Sequence, residues 1–311
     1  MLSRVAERTY WLARYLERTE NLARLCNVFG KLFLDLPRSA GLGWMEILDI
    51  IDVRPAADGS DGDWTDARVI ELLIASRDNS SSLISSLAMA RENARTARDV
   101  LPTEGWLTIN KLYLSTRDAV VNVAPGGNLH HFLSGVVESC QQMNGLLAGT
   151  MSHSTAHQFM RAGRHLERAD MTTRTLDTAA AMLMSGRGAL EPLYPSLWAS
   201  VLKSVSGYQM YRQYVRRRIL APDVVRFLFE DRQFPRSVSH CIDQVAMTLA
   251  MLPGNDTVVE SIVHLRRRLR GVDTAHLSTA DLHELIDRLQ QDIARVHDAI
   301  SDNWFRIGKD G

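Results

Sequence analysis

Two Leu-Glu-Arg triplets, Leu16-Glu17-Arg18 and Leu166-Glu167-Arg168, hold the densest polar chemistry of this 311-residue chain. At about 100° per residue, Glu7, Tyr10, Arg14, Glu17, Arg18 and Asn21 share one side of a helix, with Trp11 at its margin. Val5, Leu12, Leu16 and Ala23 lie opposite, as an apolar stripe. In the second segment His157, Arg161, Arg164, Glu167, Arg168 and Arg174 take the equivalent side, interrupted by Met160 and Met171. A guanidinium presents a planar fork of donors to carboxylate or phosphate, and a glutamate three or four residues away can hold that fork in place. Three arrangements satisfy this pattern: surface i,i+4 pairs worth tenths of a kcal/mol each, an ion-pair network between two helices, or an arginine-lined anion site. Aromatics and methionines among the charges suit helices buried on both sides.

A second cluster, Arg91-Glu92-Asn93-Ala94-Arg95 with Arg98, interrupts an otherwise apolar helical pattern, and the first half is expected to bring it to any shared functional centre. A solvated helix surface is the plainer alternative. In Asp231-Arg232-Gln233-Phe234-Pro235-Arg236-Ser237, the free N–H groups after Pro235 would suit an anion beside Arg236, although turn chemistry explains the segment nearly as well. The runs Arg216-Arg217-Arg218 and Arg266-Arg267-Arg268 read as solvated faces sooner than as partner surfaces.

Other chemistries lack their residues. No Glu-x-x-His pair is present, Asp273-x-x-His276 lies outside a strong helical pattern, and His153 with His157 lacks a third ligand, so neither metal nor cofactor is expected. Phosphate loops, nucleophile elbows and dinucleotide fingerprints are missing from the sequence.

The elements that must carry these residues are helices. Apolar content of 45% can fill a core for such a length, and 36 basic against 36 acidic side chains give no field of one sign, which disfavours dedicated nucleic-acid binding. Cys26, Cys140 and Cys241 are odd in number and far apart, which fits a reducing compartment. No signal peptide or membrane-spanning stretch is read, so a cytoplasmic location is expected. The spacing predicts helices over residues 2–36, 44–53, 64–77, 81–101, 104–122, 129–149, 155–185, 195–220, 222–230, 235–252 and 255–270. A last helix, to about residue 303, starts from an approximate capping box at Ser278-Thr279-Ala280-Asp281. Breaks are expected at Pro37, the polar stretch 54–63, Pro102, Pro125-Gly126-Gly127 and Gly186-Arg187-Gly188.

The sequence also matches itself. A shift of 150 lays Arg14-Tyr15-Leu16-Glu17-Arg18-Thr19-Glu20 over Arg164-His165-Leu166-Glu167-Arg168-Ala169-Asp170, and Arg24 over Arg174. A shift of 155 lays residues 69–74 over 224–229, Arg77 over Arg232 and Ser82 over Ser237. Chance likeness between helices competes with duplication, and two matches in order favour duplication. The expected fold is all-α: two related antiparallel helical-bundle halves, residues 1–150 and 151–311, packed with pseudo-twofold symmetry.

Residues 3–8, 10–21, 90–95, 163–170 and 234–238 together resemble the bacterial alpha-E family, named for helices bearing a Glu-Arg motif. The resemblance places the Glu-Arg positions at Glu17, Arg18, Glu167 and Arg168, flanked by Arg14, Asn21, Arg164 and Asp170. Relatives usually have Asn-Pro before the Arg-Glu-Asn helix, where this chain has Asn79-Ser80. The resemblance implies a circularly permuted ATP-grasp protein as partner, often with a transglutaminase-like protein nearby, and a role in ATP-dependent amide formation or peptide modification.

Three functions follow as expectations. The chain is an accessory subunit that positions an acidic or peptide substrate; or an enzyme using Glu17 or Glu167 as acid/base with Arg14, Arg91 or Arg164 on an anionic substrate; or a scaffold. An enzyme needs those side chains in an accessible pocket, and a scaffold needs them sealed in ion pairs.

Overall fold

Prolines and side-chain caps set several helix starts in the computed structural model, which describes residues 3–37, 41–53, 64–121, 127–185, 191–272, 274 and 278–306. The helices are α1 (Ser3–Asp35), α2 (Met45–Ile50), α3 (Asp66–Ile74), α4 (Leu83–Thr96), α5 (Thr103–Val120), α6 (Leu129–Thr150) and α7 (Thr155–Ser185). They continue as α8 (Tyr194–Ser204), α9 (Tyr208–Tyr214), α10 (Ala221–Glu230), α11 (Val238–Leu249), α12 (Asp256–Arg270) and α13 (Thr279–Ile300). No strand occurs among the described residues, so the fold is all-helical. The expected breaks at 54–63, Pro125-Gly126 and Gly186-Arg187-Gly188, and the Asp273/His276 pair, lie outside the described residues.

Where the structure departs from the spacing, local hydrogen bonding gives the reason. The segment 195–220 is two helices, because Ser206 turns the chain left-handed at φ 56° and Gly207 follows against Phe234. The helix expected from residue 235 starts at Val238: Ser237 closes a turn onto the Phe234 carbonyl and caps the His240 N–H. Asn255 sits at the start of α12 but donates its amide to the Leu249 and Ala250 carbonyls, closing the end of α11 instead. The imperfect capping box is real: Ser278 and Asp281 bond reciprocally. At Asn79-Ser80 no proline is needed, since the Asn79 side chain accepts from the Ser81 N–H and donates to the Leu72 carbonyl.

The two long helices α1 and α7 lie together at the centre. Helices α4, α6 and α8 also pack on α1, while α11, α13 and α2 pack on α7. Both sides of α1 are buried, which explains why aromatics and charges alternate on a face that periodicity alone would leave to solvent. Contacts advance in the same sense along both helices, from Tyr10 against Gly163 to Arg14 on Glu167, so α1 and α7 run parallel. The buried apolar side chains make one continuous core that spans residue 150, from Ala6 to Phe305.

At Gly163 the two backbones come close together: a Cβ there would sit 2.4 Å from the Tyr10 carbonyl oxygen. Backbone cannot rotate away as a side chain can. Gly163→Ala is therefore expected to cost about 2–3 kcal/mol or more through overpacking, read as a lower urea midpoint at unchanged m-value.

Candidate functional site

Glu17 and Glu167 are each 1% exposed, and each is held by arginines of the opposite helix. Glu17 accepts from Arg168 Nε at 2.8 Å and a terminal nitrogen at 2.7 Å. Glu167 accepts from Arg18 Nε at 2.6 Å and Arg14 Nε at 2.6 Å, with a second Arg18 bond at 3.2 Å. The two Glu-Arg pairs are thus exchanged between α1 and α7. Burial alone would raise both carboxyls, but Arg168 and Arg236 outweigh it at Glu17, and Arg18 and Arg14 hold Glu167 down to about 2. The arginines respond in the opposite sense: burial would lower Arg14 and Arg168, and Glu167 and Glu17 raise them.

Arg236, from the turn before α11, completes one side of this network. It donates to Glu17 at 2.8 Å, to Asn21 Oδ1 at 2.7 Å and to Glu20 at 2.6 Å, while Thr172 binds its carbonyl. The anion expected beside Arg236 is replaced by the protein's own carboxylates. Glu20 also accepts from Arg24 and Asn144, and Arg24 reaches Ser206 at 2.7 Å. Neither Glu20 nor Arg24 was among the expected site residues. The repeat signalled Glu20, because it aligns with the candidate Asp170.

Arg164 is the exception. Its counterpart Arg14 binds Glu167, yet Arg164 has no hydrogen bond among the described residues and its Nε is buried. Burial, then Arg168, lowers it to about 10, so it is still a cation at neutral pH. The same α7 stripe carries His157, stacked on His153 at 4.3 Å, Arg161, bonded to Gln244, and His165 near His240. His157 Nδ1 and His165 Nδ1 are likewise buried without partners; burial and the neighbouring cations keep His157 down at about 4 and His165 well below the usual range. This stripe offers an anion two guanidiniums without a carboxylate partner among the described residues, Arg164 and Arg161, beside neutral imidazoles.

The first-half cluster does not join the centre. Arg91 bonds Asn110 at 2.7 Å and lies against Trp106 and Tyr113; Glu92 and Arg95 form an exposed i,i+3 pair; Asn93 turns back to the Met89 carbonyl. No hydrogen bond or ion pair links them to Glu17 or Glu167 among the described residues. The helix α4 presents them away from the α1–α7 contact. Asp170 pairs with Arg174 at 2.9 Å along its own helix. In the basic runs, Arg266 meets Asp243, Arg268 meets Asp292 and Arg217 meets Asp223.

Two clusters escaped the sequence reading. Tyr10, pushed up to about 12 by burial, keeps its proton for His297, which burial and Arg14 hold near 4; they lie 3.0 Å apart. Asp177, His283 and Asp287 gather three potential ligand atoms within 4.8 Å on the partly exposed flank of α7 and α13. A 2.7 Å His283–Asp177 contact already accounts for that group as an ion pair. Sequence separation hid both.

Proton transfer by Glu17 or Glu167 is not supported: a general acid or base must exchange its proton near the working pH, and these carboxylates are ionised and each is held by two arginines. Glu167 falls from an ordinary value of 4.5 to about 2 on folding. Its stabilising contribution is whole above the unfolded value and is lost as pH drops from about 5 to 2. Thermal melts should show stability falling across that window, with a shallower fall in Glu167→Gln. Arg168→Ala should cost about 3–5 kcal/mol by stripping the buried Glu17 of two donors, measured by urea unfolding near pH 7.

The family description that matches, over residues 1–305, reads a predicted alpha-helical domain with a conserved ER motif. An uncharacterised protein of Mycobacterium bovis and another of Mycobacterium tuberculosis are each 22% identical over 328 residues, which cover 96% of this chain and 36% of theirs. The chain thus spans about a third of the length of these curated relatives. No solved structure matches it.

Proposed function

The chain belongs to the Alpha-E family, and from that membership we propose that it is an accessory module of an ATP-grasp-type amide or peptide ligase system, positioning an acidic or peptide substrate. The resemblance implies the partner, a circularly permuted ATP-grasp protein, with a transglutaminase-like protein as a possible neighbour in the system. Two observations favour an accessory role. In the mycobacterial relatives the matched unit is one part of a much longer polypeptide. The buried glutamates cannot trade protons at neutral pH, which leaves the chemistry to a companion.

Substrate positioning rests on Arg164. Of the arginines on the two Leu-Glu-Arg helices that lie near Glu17 and Glu167, it has no acceptor, and an unpaired guanidinium with a buried Nε is the donor that an incoming carboxylate would satisfy. We read residues 1–150 and 151–311 as duplicated halves about a pseudo-twofold axis running along α1 and α7. The exchanged Glu-Arg pairs support this, as does the packing: α4 and α6 lie on α1 as α11 and α13 lie on α7, and α2 crosses to α7 as α8 crosses to α1. A reducing, cytoplasmic setting is consistent with three free, buried cysteines. No helix among the described residues is long and apolar enough to cross a membrane.

A scaffold is the competing reading, favoured by the saturation of Glu17 and Glu167. One variant separates them. Arg164→Gln removes no internal ion pair, so its stability should stay within about 0.5 kcal/mol of the parent or rise, while product formation by the native system falls. Full activity in that variant would leave the scaffold. The partnership is tested by recovering the tagged chain from its own cell: mass spectrometry should find an ATP-grasp protein with it, and repeated recovery without one overturns that part of the proposal.

A further inference from the structure

The repeat places a guanidinium on one side of the central helices and a cleft on the other. Arg236 lies among Glu17, Glu20, Asn21, Arg24, Arg168 and Thr172. Shifted by 150, these become Glu167, Asp170, Met171, Arg174, Arg18 and Leu22, and all six line one cleft of about 200 Å³. The cleft also holds Ser81, the residue that a shift of 155 lays under Arg236. The surrounding backbone corresponds as well. Ser82 caps α4 and bonds the Ser76 carbonyl, just as Ser237 caps α11 and bonds the Asp231 carbonyl. Ser206, which accepts from Arg24, corresponds to Asp52, 3.9 Å from Arg174, and both turn left-handed, at φ 56° and 55°.

Charge makes the comparison chemical. Around Arg236 the immediate charges are two carboxylates, Glu17 and Glu20, and two arginines, Arg24 and Arg168, and that setting holds a further guanidinium. The cleft has three carboxylates, Glu167, Asp170 and Asp52, against Arg18 and Arg174 on its walls and Arg14 bonded to Glu167; the setting of Arg236, with Arg164 in the place that matches Arg14, has one carboxylate fewer. The cleft is therefore better disposed to an added cation than the position already filled. Asp170 meets Arg174 through Oδ2 alone. Its second oxygen makes no hydrogen bond among the described residues.

We propose that this cleft binds a guanidinium group, supplied by free arginine or by an arginyl side chain of a peptide. The ligand takes the place that Arg236 holds in the other half, with Asp170 in the role of Glu20 and Glu167 in that of Glu17. Arg14 then meets a competitor for Glu167, as Arg164 does for Glu17. The inference does not rest on the accessory role: its test uses the purified chain alone, so the two can fail separately.

Calorimetric titrations would compare L-arginine and blocked Gly-Arg-Gly with L-citrulline and blocked Gly-citrulline-Gly, in which a neutral urea replaces the guanidinium. Saturable one-to-one binding at least about tenfold tighter for an arginine probe than for its citrulline partner is expected. The tighter arginine probe identifies the source. Asp170→Asn should weaken that binding about tenfold. Ser81→Arg should abolish it and raise the melting temperature, since the new side chain occupies the cleft from within; the cap at Ser82 is untouched. Failure of both arginine probes to bind, equal affinity for citrulline, or binding unchanged in Asp170→Asn overturns the proposal, as does a folded Ser81→Arg variant that binds like the parent.

Discussion

Glu17 and Glu167 are charges withdrawn from water, and a carboxylate so placed is tolerated only when donors fill its lone pairs. Each helix brings an acid that its own neighbours do not satisfy, and arginines of the other helix do so, joined at Glu17 by Arg236 from the turn before α11. Separation of α1 from α7 would strand both acids together. The pairing thus ties α1 to α7 by a penalty for parting more than by a gain on meeting, and it reinforces the register that the close fit at Gly163 also sets. Gly163 leaves room for the Tyr10 backbone one turn before these contacts begin.

Differences between the two sides of this centre decide which polar groups stay unpaired. Arg236 stands opposite Ser81, so that a guanidinium fills one side while a cleft is left on the other. By taking an oxygen of Glu17, Arg236 also deprives Arg164 of the kind of partner that Arg14 has. The ion-pair core thereby has a cation without a hydrogen-bonded acceptor among the described residues, Arg164, on one side and a cleft lined by Glu167, Asp170 and Asp52 on another. Groups saturated by their own fold hold position, whereas the unsaturated ones have binding capacity left.

Helical class and the approximate length of most elements were legible in the sequence, because a 3.6-residue period, prolines and serine caps act over a few residues. So was the choice of Arg14, Glu17, Arg18, Glu167 and Arg168 as a group: paired motifs at a constant offset need only counting. The mixture of aromatics and charges on one face also pointed to helices buried on both sides, which α1 is.

Tertiary structure decided which charge meets which. An arginine reaches a carboxylate three residues away or one on another helix with equal ease, so spacing could not tell Arg18 on Glu167 from Arg18 on its own helix. Nor could it show that Arg91-Glu92-Asn93-Ala94-Arg95, as dense as the central motifs, faces away from them. The break at Ser206 and the late start of α11 were set by contacts that also place Arg24 and Arg236. What a charged side chain does depends on its distance from water and from its counterion, and both are fixed only when helices distant in sequence pack.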